Sequence, residues 1–219
     1  MSSRRTAVES ALEEAPLEAL EEAPLEERGE APVDGSGRPM RADARRNYER
    51  LVAAAKKVFA ADGGGACMEA IAREAGVGVG TLYRHFPKRI DVVEAVYRTD
   101  VDQLVADAER FVAELDPWGA VVTFLEAFVR YAQTKRTFLS ELQEAFEKQP
   151  EFRLRSRERI EAAMALVIDN ARRAGVIRAD IDGADLMALV SPMCTLNTLS
   201  EDQCNRLLGT ILDGLHTVA

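Results

Sequence analysis

Nineteen residues constrain this chain most: Met68-Glu-Ala-Ile-Ala-Arg-Glu-Ala75, followed by Gly76-Val-Gly-Val-Gly-Thr-Leu-Tyr-Arg-His-Phe86. Met68, Ile71, Ala72 and Ala75 recur at i, i+3, i+4 and i+7, which is one face of a helix. Gly76 accepts a left-handed backbone, so the helix is expected to stop there. A second short helix is expected from about Val79 to His85, with Leu82 and Phe86 turned inward. The small Ala72 and Ala75 let the two helices cross closely, and Val77 and Leu82 fill their junction. The pattern predicts a helix-turn-helix over about 67–86, whose second helix fits a DNA major groove about 12 Å wide.

The same spacing leaves Val79, Gly80, Thr81, Tyr83, Arg84 and His85 free to face outward. Thr81 can donate to a phosphate or meet a thymine methyl, and Tyr83 and His85 can donate to phosphates. Arg84 can read a guanine edge or clamp the backbone. Arg89, at the start of the next helix, is expected to add a cation and a helix dipole that favour a phosphate. Arg41, Arg45 and Arg46 are expected before the first helix, within reach of the flanking backbone. Arg73 and Lys56 read as solvated charges.

Net charge is −9 over 219 residues, which taken whole argues against a nucleic-acid partner. Its distribution reverses the argument. Residues 1–40 carry a net −6, residues 41–91 a net +4, and residues 92–219 a net −7. Phosphate neutralisation acts within about a Debye length, roughly 8 Å at physiological salt, so the local +4 counts for more than the total. That +4 also disfavours a helix-turn-helix that binds only protein.

Residues 1–40 read as a disordered acidic, proline-rich tail that repeats Glu-Glu-Ala-Pro-Leu-Glu at 13–18 and 21–26. The plainer reading is a solvated extension; the other is a tail that competes with DNA for the basic segment. From Asp43 the pattern is helical throughout. Tyr48, Leu51, Ala55, Val58 and Phe59 set a first helix, which Asp62-Gly63-Gly64-Gly65 ends. Pro87 sits at the start of a fourth helix running to about Leu115. Five more are expected near 117–134, 137–147, 151–174, 182–196 and 200–217, and Pro192 should bend or end the helix that holds it. The fold class is all-α with about nine helices: a DNA-binding domain over 41–100 and a second helical domain over 101–219, to which a family resemblance assigns regulation and dimerisation.

Residues 43–98 resemble the tetracycline-repressor (TetR) family of one-component bacterial regulators. The resemblance runs from Val58-Phe59 and Gly63 through Ile71-Ala72-Arg73-Glu74-Ala75-Gly76-Val77. It continues over Gly80-Thr81-Leu82-Tyr83-Arg84-His85-Phe86 and Arg89 to Val92 through Tyr97. Family members commonly carry Ser or Thr where this chain has Cys67 and Gly78, both at helix N-caps. Cysteine is a poor cap and glycine costs only a few tenths of a kcal/mol, so the fold survives with fewer hydroxyls toward the backbone.

The resemblance implies a ligand-responsive repressor that binds a pseudo-palindromic operator as a homodimer; the alternative is an activator, or a regulator without an effector. The implied partners are double-stranded DNA, a second copy of the chain and an unidentified small molecule. Dimer contacts are expected from Leu186, Leu189, Val190 and Met193 and from Leu207, Leu208, Ile211, Leu212 and Leu215, with about half of each stripe facing its own domain. Pocket candidates are Trp118, Phe124, Phe128, Tyr131, Phe138, Phe146, Met164 and Met187, although aromatics at helical spacing are core more often than cavity lining.

An enzyme fails on inventory: no glycine-rich phosphate loop, no Cys–His or Ser–His pairing at a known spacing, no metal cluster. Glu141 and Glu144, one turn apart, read as solvated acids rather than an acid–base pair. No cofactor and no metal are expected. Cys67, Cys194 and Cys204 form no CxxC; a redox pair of the last two is disfavoured against inert buried thiols. No apolar run reaches the ~20 residues of a membrane span, and no signal core is evident, so a cytoplasmic protein is expected.

Overall fold

The computed structural model describes residues 42–62, 65–195 and 199–217. The acidic tail, Arg41, Gly63 and the side chains of Met193 and Cys194 lie outside the described residues. Nine α-helices are found among them: α1 Ala42–Asp62, α2 Met68–Glu74, α3 Val79–His85, α4 Arg89–Glu114, α5 Pro117–Arg136, α6 Leu139–Lys148, α7 Pro150–Arg173, α8 Gly183–Thr195 and α9 Glu201–Leu215. Apart from an isolated bridge between Ile177 and His216, the described residues hold no β-structure. None of the helices is long and apolar enough to cross a membrane, and among the described residues no group of three or more His, Cys, Asp or Glu could hold a metal ion. Pro192 does not end its helix, which continues to Thr195.

The described residues form two compact units. One joins residues up to Asp102 with 133–156; the other joins 103–132 with 157 onward. Helix α6 and the adjoining ends of α5 and α7 therefore group with the helix-turn-helix rather than with the remaining C-terminal helices.

In the first unit, Leu51, Phe59, Ile71, Leu82, Val92, Val93 and Val96 are wholly buried. Each such side chain contributes roughly 1.5–3 kcal/mol by leaving water. Phe138 stacks on Phe59 with ring centroids 5.3 Å apart. That corrects its expected place in a C-terminal ligand pocket: it is part of the core beneath the helix-turn-helix. Phe146 is corrected in the same way, because its ring meets Tyr97 at 5.3 Å and Phe152 at 5.9 Å. Lys135 lies over both Tyr97 and Phe146, and Arg98 over Phe152, so cations cap this aromatic cluster.

In the second unit, Phe124, Leu125, Phe128, Met164, Val167, Ile168 and Leu186 form the core. The start of α8 lies so close to α7 that a Cβ on Gly183 would sit 2.9 Å from Ala165 Cα, which explains the glycine there. Side-chain caps begin α5, α8 and α9. Asp116 accepts from the Trp118 and Gly119 amides, and Asp182 from those of Ala184 and Asp185. Ser200 and Gln203 form a reciprocal capping box. The segment after α9 is tied back by Arg178 N to Leu215 O and Thr217 N to Val176 O, and Trp118 stacks on His216 at 4.2 Å.

Candidate nucleic-acid interface

The turn between α2 and α3 closes as the sequence requires. Gly76 has φ +64°, Val77 N donates to Ala72 O and Gly76 N to Arg73 O, the paired bonds of a Schellman ending. Arg50 of α1 adds a clamp that sequence reasoning missed. Its Nη2 donates to Ala75 O at 2.6 Å and to Gly76 O at 3.4 Å. A Cβ on Gly76 would come within 3.1 Å of that nitrogen, so both backbone angle and space call for glycine. The signal was an arginine about two turns into a helix otherwise read for its apolar face.

Both unusual caps sit where expected. Cys67 caps α2 and Gly78 caps α3, each with an extended backbone and no side-chain hydrogen bond.

Helix α3 turns about 100° per residue, which sorts its side chains. Leu82 is wholly buried and Phe86 nearly so. Gly80 and Arg84 lie opposite Leu82, both exposed. Val79 and Tyr83 occupy one flank, 39% and 43% exposed. Thr81 and His85 occupy the other and are half-buried. The His85 ring meets Tyr48 of α1 edge-on at 6.5 Å, and Tyr48 packs on Phe86 at 5.2 Å. Burial lowers the His85 pKa below its ordinary 6.5 and raises that of the Tyr48 phenol, although the nearby Arg98 opposes the latter shift.

Among the flanking cations, Arg45 pairs with Glu49 and Arg46 with Asp43 on the exposed start of α1. Arg73 is exposed. Lys56 is not a solvated charge: its Nζ lies 2.5 Å from Asp100 of α4, whose pKa burial raises although Lys56 opposes the shift.

Arg89 departs furthest from expectation. Its Nη2 donates to Glu141 of α6 at 2.9 Å and its Nη1 to Ala66 O, just before the α2 cap. Its guanidinium lies 5.1 Å from the Phe59 ring centroid. The group expected to meet a phosphate is turned inward, because three partners on three elements hold it there. Glu141 is correspondingly no free acid. Burial alone would raise its pKa, but hydrogen bonds from Arg89 and Ser140 outweigh burial and hold it below the usual 4.5.

The remaining candidates divide sharply. Leu186, Val190, Leu208, Leu212 and Leu215 are already buried in the single chain, which leaves them little surface for the expected dimer contact. Leu189 and Leu207 stay exposed at 53% and 43%, and Ile211 is half-buried. Leu189 and Ile211 line one surface groove with Ile181 and Thr210. Of the pocket candidates, Phe124, Phe128 and Met164 are packed core, while Trp118, Tyr131 and Met187 are half-buried. Cys204 is buried and Cys67 exposed.

Residues 51–96 match the model of bacterial regulatory proteins of the tetR family, and residues 116–217 match that of the SbtR-like transcriptional regulator C-terminal domain. A TetR transcriptional regulator of Streptomyces coelicolor of known structure is 37% identical, with a TM-score of 0.69 over 78% of this chain and 99% of that one. A TetR regulatory protein of Mycobacterium vanbaalenii is 33% identical, with a TM-score of 0.66 over 82% and 100% of the two chains. HTH-type transcriptional regulators of Staphylococcus aureus are 42% identical over 64 residues, 29% of this chain. That stretch spans 35% of the length of those curated relatives.

Proposed function

The chain belongs to the TetR family of DNA-binding transcriptional regulators, and on that footing we propose that it is a ligand-responsive repressor that grips a pseudo-palindromic operator as a homodimer. The observation that carries the DNA reading is the sorting of α3: Leu82 and Phe86 are sequestered while Val79, Gly80, Tyr83 and Arg84 face water. Val79 and Tyr83 stand partly open to solvent on the face that would enter the groove.

Arg84 opposite the buried face reads base edges, with Gly80 allowing close approach. Tyr83, Thr81 and His85 on the two flanks hold phosphates, and Arg45 and Arg46 reach the flanking backbone. Arg89 acts through another route: it positions α2 and α4 and does not itself meet DNA. The dimer is supported by Leu189, Leu207 and Ile211, apolar side chains left partly or largely open to solvent on α8 and α9. Effector binding rests on the family and on half-buried Trp118, Tyr131 and Met187. A cytoplasmic setting follows from the role.

Titration of duplex DNA carrying inverted repeats from beside its own gene tests this reading. It predicts two protomers per site and an affinity that falls steeply as salt rises. Binding of equal strength to any duplex, or one protomer per site, would contradict it. Release of the DNA by a small molecule tests the ligand-responsive part.

A further inference from the structure

Exposed cations around the helix-turn-helix fall into two groups. Arg45 pairs with Glu49, Arg46 with Asp43 and Lys57 with Glu74. Arg50, Arg73, Arg84 and Lys88 are exposed and have no carboxylate within ion-pair reach among the described residues. A cation beside an acid offers a phosphate less, because the acid repels the incoming charge; an unmatched cation offers its full charge. Arg84 and Lys88 lie on α3 and just beyond it, and Arg73 in the last turn of α2. Arg50 stands apart from them in sequence, on α1, yet its side chain reaches the same turn.

The guanidinium of Arg50 is half committed. Its Nη2 donates to Ala75 O at 2.6 Å and to Gly76 O at 3.4 Å. Glycine at 76 leaves room for that approach, since a Cβ there would come within 3.1 Å of the same nitrogen. Arginine carries five N–H donors in a rigid fork, and those on Nε and Nη1 have no acceptor among the described residues. Carbonyl oxygens carry only partial charge, so the cation is held in place without being neutralised. In a helix-turn-helix the second helix presents its N-terminal residues to the bases while the first crosses the DNA backbone. The turn gripped by Arg50 ends three residues before Val79, the first residue of α3, which is where phosphates pass. A fork already oriented by two bonds loses little further freedom on meeting a phosphate oxygen.

We propose that Arg50 is both the positioning residue of the α2–α3 turn and a phosphate contact. Nη2 holds the turn carbonyls while Nε and Nη1 take a phosphate of the DNA backbone. The proposal rests on α3 being the DNA-reading helix. One rigid group then ties the position of a phosphate to the pitch of α3. A duplex whose backbone passes at the wrong height disturbs the turn, so Arg50 selects for duplex shape while touching no base.

The test uses the full chain and a duplex that the parent protein recovers from a random pool. Arg50→Gln keeps an amide able to donate to a turn carbonyl but removes the charge. It should make the slope of log affinity against log salt shallower by about 0.9 per protomer, and weaken binding about tenfold at fixed salt. Arg50→Lys restores the charge without the fork. Its slope should match the parent's, while its preference for the recovered duplex over random sequence stays about threefold or more below the parent's. Lys57→Gln, which removes an exposed cation paired with Glu74, should leave the slope unchanged. In the parent itself, the Arg50 Nε–H, followed by side-chain nitrogen NMR, should exchange more slowly with water once the duplex is bound.

An unchanged slope in Arg50→Gln, or an Nε–H that exchanges as before, confines Arg50 to the turn and overturns the phosphate contact. An equal loss of slope in Lys57→Gln overturns it too, since the slope would then report charge in general. Full recovery of preference by Arg50→Lys overturns the part assigned to the fork. If the parent recovers no duplex, the DNA reading of α3 itself fails, and that result is distinct from the others.

Discussion

Arg89 and Glu141 are 52 residues apart in sequence and 2.9 Å apart in space. Their ion pair joins the first residue of α4 to α6, and the same guanidinium holds Ala66 O beside the α2 cap. One side chain therefore fixes the mutual placement of α2, α4 and α6. Being only 27% and 20% exposed, the pair is shielded enough that removing one partner leaves a costly orphan.

Arg89→Met should accordingly lower stability by about 2 kcal/mol, below the 3–5 kcal/mol of a fully buried pair. The salt slope of DNA binding should stay unchanged, since no phosphate contact is lost; a slope smaller by about 0.9 would return Arg89 to the DNA surface. The pH dependence has a definite sign. Glu141 titrates lower folded than its ordinary 4.5, so its contribution is present above that value and lost as pH falls through the folded one. Thermal melts of Glu141→Gln against the parent should differ above pH 4.5 and converge on acidification.

Adjacent residues of α3 should separate function from folding. Tyr83→Ala removes a 43% exposed side chain and should weaken DNA binding at least about tenfold, roughly 1.4 kcal/mol, with melting temperature and dimer intact. Leu82→Ala empties a wholly buried site and should cost about 2–5 kcal/mol of stability. Calorimetry with fluorescence anisotropy checks both; normal binding by Tyr83→Ala would remove α3 from the groove.

His85 predicts a pH-linked affinity. Burial lowers its pKa below 6.5 in the free protein, whereas a phosphate beside it favours the imidazolium. Binding then takes up a proton in the window between the free and bound values. Affinity should rise as pH falls through that window, measured between about pH 8 and pH 5, and His85→Gln should flatten the rise.

For the dimer, Leu207→Asp combined with Leu189→Asp places charge on exposed positions and should give folded monomers with little operator affinity. Leu212→Asp, at a buried position on α9, should instead unfold the unit. Sedimentation with circular dichroism distinguishes the two; a double variant that still dimerises would move the interface elsewhere.

Helix order and the helix-turn-helix were legible because local signals agree: apolar periodicity, Gly76 and Pro87 all act over a few residues. The weak caps Cys67 and Gly78 were located through the family resemblance, and they stand where it implies. What escaped depends on long-range pairing. Arg89 carries the same charge whether it faces phosphate or Glu141, and nothing local to Arg89 announces a partner on α6. Phe138 and Phe124 look alike in sequence, yet one lies under Phe59 and the other in the second unit's core. The stripes on α8 and α9 divided at i, i+3 and i+4 between buried and open positions, a division that only packing reveals.

Selection of bound duplexes from a random DNA pool tests the central claim most directly. The account predicts enrichment of two inverted half-sites with centres about one helical turn or a multiple of it apart, and loss of that enrichment in Tyr83→Ala. Recovery of a single half-site, or of no common sequence, would contradict it.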